Sequence, residues 1–157
     1  QAGGAFDSGT IPERLLIKDG QETAILLVPA RESQSGRPIT LTQKDVRAVQ
    51  LAKGALRAGL DLLDGKLGLS QPPHLLMAGA FGSTINIADA LTIGLFPPLP
   101  EESVAVIGNA AGAGAIMAVF EDDILEKAQK MCDQTDVLEL ADQPGFQDTF
   151  VASLSFP

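Results

Sequence analysis

From Val46 to Leu67 apolar side chains return every three or four residues, at Val46, Val49, Leu56, Leu60, Leu63 and Leu67. That is the period of a helix with one face turned to a core. Thr42 and Asp45 stand just before it in the arrangement of a capping box, and Gly68 follows as a stop. A helix of this length needs a layer to lie on, so the flanking segments must supply a sheet.

They read that way. "RLLIKDGQETAILLV" (14–28) is two β-rich runs around Asp19-Gly20, a pair suited to a type I′ hairpin turn. Polar "ARESQSGR" leads to a short third strand, "PITL". After the helix, "HLLMAGAFGS" predicts a strand running into a glycine turn, and "NIADALTIG" a short helix capped by Asn86 and ended by Gly94. "FPPLP" then leads to strand "SVAVI", a small-residue segment "VIGNAAGAGA" (106–115), and a helix reaching Cys132. "DVLEL" (136–140) predicts a further strand, and Pro144 can open a last helix. The 157 residues suit one domain, 1–157, of α/β class. Its mixed sheet is expected to be antiparallel at the amino-terminal hairpin and parallel afterwards, with helices packed on it.

Several function classes fall away. A net charge of -9 argues against nucleic acid and against an anionic membrane surface. The one cysteine, Cys132, allows no internal disulfide and no cysteine-ligated cluster, and is expected to be a small buried hydrophobe. His74 stands alone beside two prolines and reads as structural, so no metal site is expected within the chain. With no apolar run long enough to span a bilayer and no basic-then-apolar leader, a cytoplasmic location is expected. The chain opens "QAGGAF" without Met, which suggests a fragment of a longer protein.

Three segments carry the candidate chemistry. In "VIGNAAGAGA" the glycines Gly108, Gly112 and Gly114 fit neither a dinucleotide fingerprint nor a P-loop. Ala110, Gly114 and Ala118 fall four apart instead, a small helical face that favours close packing over a phosphate cradle, with Asn109 left as a candidate ligand contact. In "LLMAGAFGS" a buried strand ends in Gly79-Ala80-Phe81-Gly82, at the carboxyl edge of a sheet, where α/β folds bind ligands; a plain tight turn is the competing reading. Lys53 interrupts the apolar seam of the long helix, with Gln50 and Arg57 one turn either side. Such a lysine either snorkels to the surface or lines a pocket. "DSGT" (7–10) mimics the phosphate loop of actin-like ATPases but lacks the apolar strand that should precede it.

"PEESVAVIGNAAGAGAIMAV" resembles a segment of the heat-shock chaperone ATPases, "LLMAGAFGS" the adenosine motif of the actin-like superfamily, and "QLAKGALR" (50–57) the chaperone helix that packs against adenine. More specifically, "ITLTQKDVRAVQLAKGALRAGL", "AGAFG", "IGLFPPLP", "GNAAGAGA" and "FVASLSFP", in that order, resemble the carboxyl-terminal region of the reductive activators of corrinoid proteins. The resemblance implies a ribonuclease H-like lobe of an actin-like ATPase. It also implies a parent that uses ATP with Mg and carries a [2Fe-2S] domain upstream, which passes an electron to the Co(II) of a corrinoid methyl-carrier protein. Gly79, Ala80, Phe81 and Gly82 would lie along adenosine and phosphates, and Gln50, Lys53 and Arg57 would face adenine and ribose. Asn109 would stand nearby, and the helix from Ala110 would be the connecting helix at the interlobe hinge. Partners would be the corrinoid-containing protein and the parent's own upstream domains, with a homodimer also open. The phosphate-gripping elements of the family would lie before Gln1, so this piece alone is expected to be inactive. The rival reading from another class is an interaction or dimerisation module that keeps the fold without nucleotide; a dinucleotide-binding domain is a weaker third.

Overall fold

A computed structural model describes residues 12, 15–19, 22–68 and 74–157. The "DSGT" segment and Gly20 of the hairpin turn lie outside the described residues. Strands β1 (Leu16–Asp19), β2 (Glu22–Val28) and β3 (Ile39–Thr42) form an antiparallel meander with β2 in the middle, Asp19 opposite Glu22. Strands β4 (Leu75–Ala78) and β5 (Val104–Gly108) pair in parallel, Leu75 opposite Val104. The antiparallel and parallel parts therefore fall where the pattern places them, as two separate ladders among the described residues.

Helix α1 (Gln43–Leu67) lies between the two ladders in sequence. Its capping box is complete: the Thr42 hydroxyl accepts from the Asp45 amide at 3.2 Å, and the Asp45 carboxylate accepts from the Thr42 amide at 2.8 Å and its hydroxyl at 2.6 Å. Gly68 closes the helix in the left-handed conformation, φ 56°. The Thr42 hydroxyl, then the Thr42 amide, hold the Asp45 carboxyl below its ordinary value. A carboxyl depressed by folding contributes stability above its unfolded pKa, and that contribution is lost as pH falls through the folded value. Asp45→Asn should therefore flatten the acid limb of the stability profile, measured as urea midpoints across the carboxylate range. Thr42→Ala should cost about 1 kcal/mol at neutral pH.

The core is small. Met77 of β4, Ala90 of α3 (Ile87–Thr92), Leu95, Phe96 and Val104 of β5 are buried together, with Leu60 of α1 packed against them. Asn86 caps α3 by accepting from the Asp89 amide at 3.0 Å. Helix α2 (Gly79–Thr84) begins directly at the end of β4, where a glycine turn was expected. Gly82 lets it close on that strand, since a Cβ there would stand 3.1 Å from the Met77 Cβ.

Beyond β5 the chain departs from expectation in three places. The helix towards Cys132 is two helices, α4 (Ala110–Phe120) and α5 (Ile124–Asp133), because Glu121 is extended. Cys132 is exposed on α5, not buried. "DVLEL" forms no strand: residues 136–139 are irregular and Leu140–Asp142 is a turn of 3-10 helix. β-propensity without a pairing edge does not make a strand, and Leu140 is instead anchored by its side chain against Gly59 of α1. Helix α6 (Phe146–Ala152) starts two residues after Pro144 and packs on α1, where a Cβ at Gly54 would meet Leu154 at 3.0 Å and Phe150 at 3.5 Å.

The small face of α4 is a further correction. Gly114 is exposed, nothing lies within 4 Å of where its Cβ would be, and no residue of α4 is buried. The described residues cover this face only in part: Ala110 and Ala118 are half-buried, and Val119 and Phe120, at the end of the same helix, are 77% and 81% exposed. In this chain alone Gly114→Ala should raise stability by up to about 1 kcal/mol, the helix-propensity difference. A lowered unfolding midpoint would show that the face is covered after all.

Candidate functional site

The carboxyl ends of β4 and β5 lie side by side, with Ala78 opposite Gly108. Each strand leaves the sheet through a glycine of positive φ, Gly79 at 88° and Gly108 at 63°, and a Cβ at either would meet nothing within 4 Å. Only glycine takes that conformation without strain. The result is bare backbone over the edge of a parallel pair, with α2 and α4 leading away from it. Gly79, Ala80, Phe81 and Gly82 form the first residues of α2, and Asn109 caps α4, its side-chain oxygen accepting from the Gly112 amide at 2.9 Å. These five sequence-derived candidates are thus gathered at one end of the small sheet.

The α1 candidates lie along another surface. Lys53 is 2% exposed, so the snorkelling alternative does not describe it. Its amine donates to the Ser155 carbonyl at 2.6 Å and stands 5.3 Å from the centre of the Phe156 ring. Burial, and then the charge of Arg57, hold this amine below the usual lysine pKa. Arg57 donates through Nε to both carboxylate oxygens of Asp61 at 2.9 Å, and through Nη1 to the Phe96 carbonyl at 3.0 Å. It therefore ties α1 to the segment that carries the core. Lys53, Arg57 and Asp61 share an open cleft of about 590 Å³ with Gly94 and the segment from Asp148 to Pro157. That volume is in the range of small-molecule sites. Gln50 is half-buried one turn away and does not line the cleft, nor do Gly79, Ala80, Gly82 or Asn109.

Sequence reasoning missed Asp61 and the segment Ser155–Pro157. The first had a signal, the Arg57–Asp61 spacing of a helical ion pair. The second had none, since it meets Lys53 across 102 residues. His74 is exposed beside β4 and lines a separate apolar cavity of about 390 Å³ with Leu60, Leu63, Leu67, Leu75 and Leu99. Among the described residues no group of three metal-ligating side chains converges, and no helix is long and apolar enough to cross a membrane.

The model of one family, the C-terminal ASKHA domain of RACo, matches residues 1–157. The chain belongs to that family. The corrinoid activation enzyme RamQ of Eubacterium limosum is 35% identical over 156 residues, which are 98% of this chain and 26% of that protein. A solved structure described as a reductive activator for corrinoid, iron-sulfur protein superposes with a TM-score of 0.80 at 27% identity, covering 93% of this chain and 24% of that one. The mixed α/β architecture is thus the actin-like fold of an ASKHA domain, and the chain spans about a quarter of the length of these relatives. An ASKHA domain of this family accounts for bare glycine backbone at the ends of two parallel strands better than a dinucleotide fold, whose glycine spacing is missing.

Proposed function

We propose that this ASKHA domain is the carboxyl-terminal nucleotide-binding lobe of an ATP-dependent reductive activator of corrinoid proteins. Its parent would pass an electron from a [2Fe-2S] domain elsewhere in the protein to the Co(II) corrinoid of a methyl-carrier partner. The observation that carries the reading is the family match along the whole chain, supported by relatives named for corrinoid activation. A cytoplasmic location is part of the same proposal.

Such a site would draw on two surfaces, the glycine-lined strand ends and the α1 side chains beside the cleft. Gly79 and Gly108 leave unobstructed backbone at the strand ends, where a phosphate chain can approach closely. Gly79 to Gly82 would run along adenosine and phosphates, with Asn109 at the neighbouring helix start. Gln50, Lys53 and Arg57 would face adenine and ribose, and Asp61 fixes the Arg57 guanidinium on both carboxylate oxygens. ATP, bound with Mg, supplies the free energy that makes an uphill reduction possible. What this lobe does is bind and orient one side of the nucleotide, so that closure of a second lobe can bury it.

Phosphoryl transfer rests on positioning and on charge stabilisation at the phosphates, and among the described residues no group of three metal-ligating side chains comes together. The chain alone should therefore turn over no ATP, whereas the intact parent should do so in the presence of its corrinoid partner. Turnover by the isolated chain would show that its own residues grip the phosphates. Silence from the parent under every condition would favour the second reading, an interaction module. The exposed apolar residues of α4, Val119 and Phe120 among them, are the observation behind that alternative; such a surface suits the parent's other domains or a second copy.

A further inference from the structure

The segment that follows α6 occupies the one group of α1 that the nucleotide reading needs most. Ser155 offers its carbonyl to the Lys53 amine at 2.6 Å, Phe156 places its ring over the same amine, and Pro157 stands against Gly94, where a Cβ would be 3.1 Å from the proline Cγ. Gly94 in turn lies beside the Lys53 Nζ, 3.5 Å from that Cβ position. The amine is covered by this segment from several sides, and it forms no ion pair with Asp61 or Asp148, the carboxylates of the same cleft. A carbonyl and a ring face are both exchangeable partners for a cation: each is a neutral acceptor that a nucleotide's ring nitrogens or hydroxyls can replace.

We infer that Ser155–Pro157 is an intramolecular latch on Lys53, which nucleotide binding displaces. The inference rests on the proposal that Lys53 contacts nucleotide, and adds a regulation of that site. With the latch closed the amine is withheld from ligand, so the apparent affinity is lowered by the fraction of molecules in which it is open. Phe156 is only partly buried, at 40% exposed, and Pro157 is exposed, so loosening them leaves the core of the domain untouched.

The test uses the intact parent with a single trifluoromethyl-phenylalanine at position 156, read by fluorine NMR, alongside calorimetric titration of Mg-ATP. Saturating ATP should move the fluorine signal to the position seen in Lys53→Met without nucleotide, the released state. Phe156→Ala should tighten ATP binding, by about tenfold if the latch is closed nine-tenths of the time. A signal that ATP leaves unmoved, or a Phe156→Ala protein that binds ATP no better than wild type or more weakly, overturns the latch. If Lys53→Met nonetheless weakens ATP binding in that case, the nucleotide site survives and the latch alone is wrong. Because Lys53→Met frees the latch as well as removing the contact, it is also measured in Phe156→Ala, and an affinity there equal to that of Phe156→Ala alone overturns both.

Discussion

Phe96→Ala should be the most damaging single truncation in this domain, costing about 3–5 kcal/mol. Phe96 is 4% exposed at the centre of the cluster that joins Met77, Ala90, Leu95 and Val104. The core holds few buried residues, so there is little material to collapse into the cavity left behind. A domain's whole stability is about 5–15 kcal/mol, so the loss would take a large share of it. The Phe96 carbonyl, which accepts from Arg57, belongs to the backbone and persists in the variant, so the effect reports packing. Urea titration of the isolated chain measures it. Phe96→Leu, which keeps most of the volume, should cost much less; equal losses for the two would move the core elsewhere.

The second large effect is on ligand. In the intact parent carrying Phe156→Ala, where the latch is open, Lys53→Met should weaken ATP binding by about ten- to a hundredfold, the equivalent of one hydrogen bond to a charged group. Methionine keeps the buried stem and removes only the ammonium, and the flexible thioether fits the same volume. The far-ultraviolet circular dichroism should be unchanged. Calorimetric titration with ATP gives the affinity directly, and a value equal to that of Phe156→Ala alone would return Lys53 to a purely structural role as the anchor of Ser155.

Local signals in the sequence proved accurate. The Thr42–Asp45 box, the Gly68 stop, the Asn86 cap and the start of the helix at Ala110 each depend on contacts within a few residues, which spacing reveals. Errors arose where a partner had to come from far away. "DVLEL" has the composition of a strand, but Leu140 docks on α1 instead. Cys132 falls on a helix on which every residue but Ile124 is exposed. The small face of α4 has the spacing of a tight helix crossing, yet the described residues provide no second helix for it. Lys53 was legible as an anomaly in an apolar seam, whereas its cover by Ser155 and Phe156 joins segments 102 residues apart, and no local pattern announces it.

The proposed ATP requirement for corrinoid reduction would join the fold, the glycine-lined strand ends and the corrinoid-activating relatives into one function. It is tested most directly by following the Co(II) to Co(I) absorbance change of a corrinoid carrier protein mixed with the intact, reduced parent, with Mg-ATP and without nucleotide. Co(I) should accumulate only when ATP is present. Accumulation to the same extent and at the same rate without nucleotide would contradict an ATP-driven step.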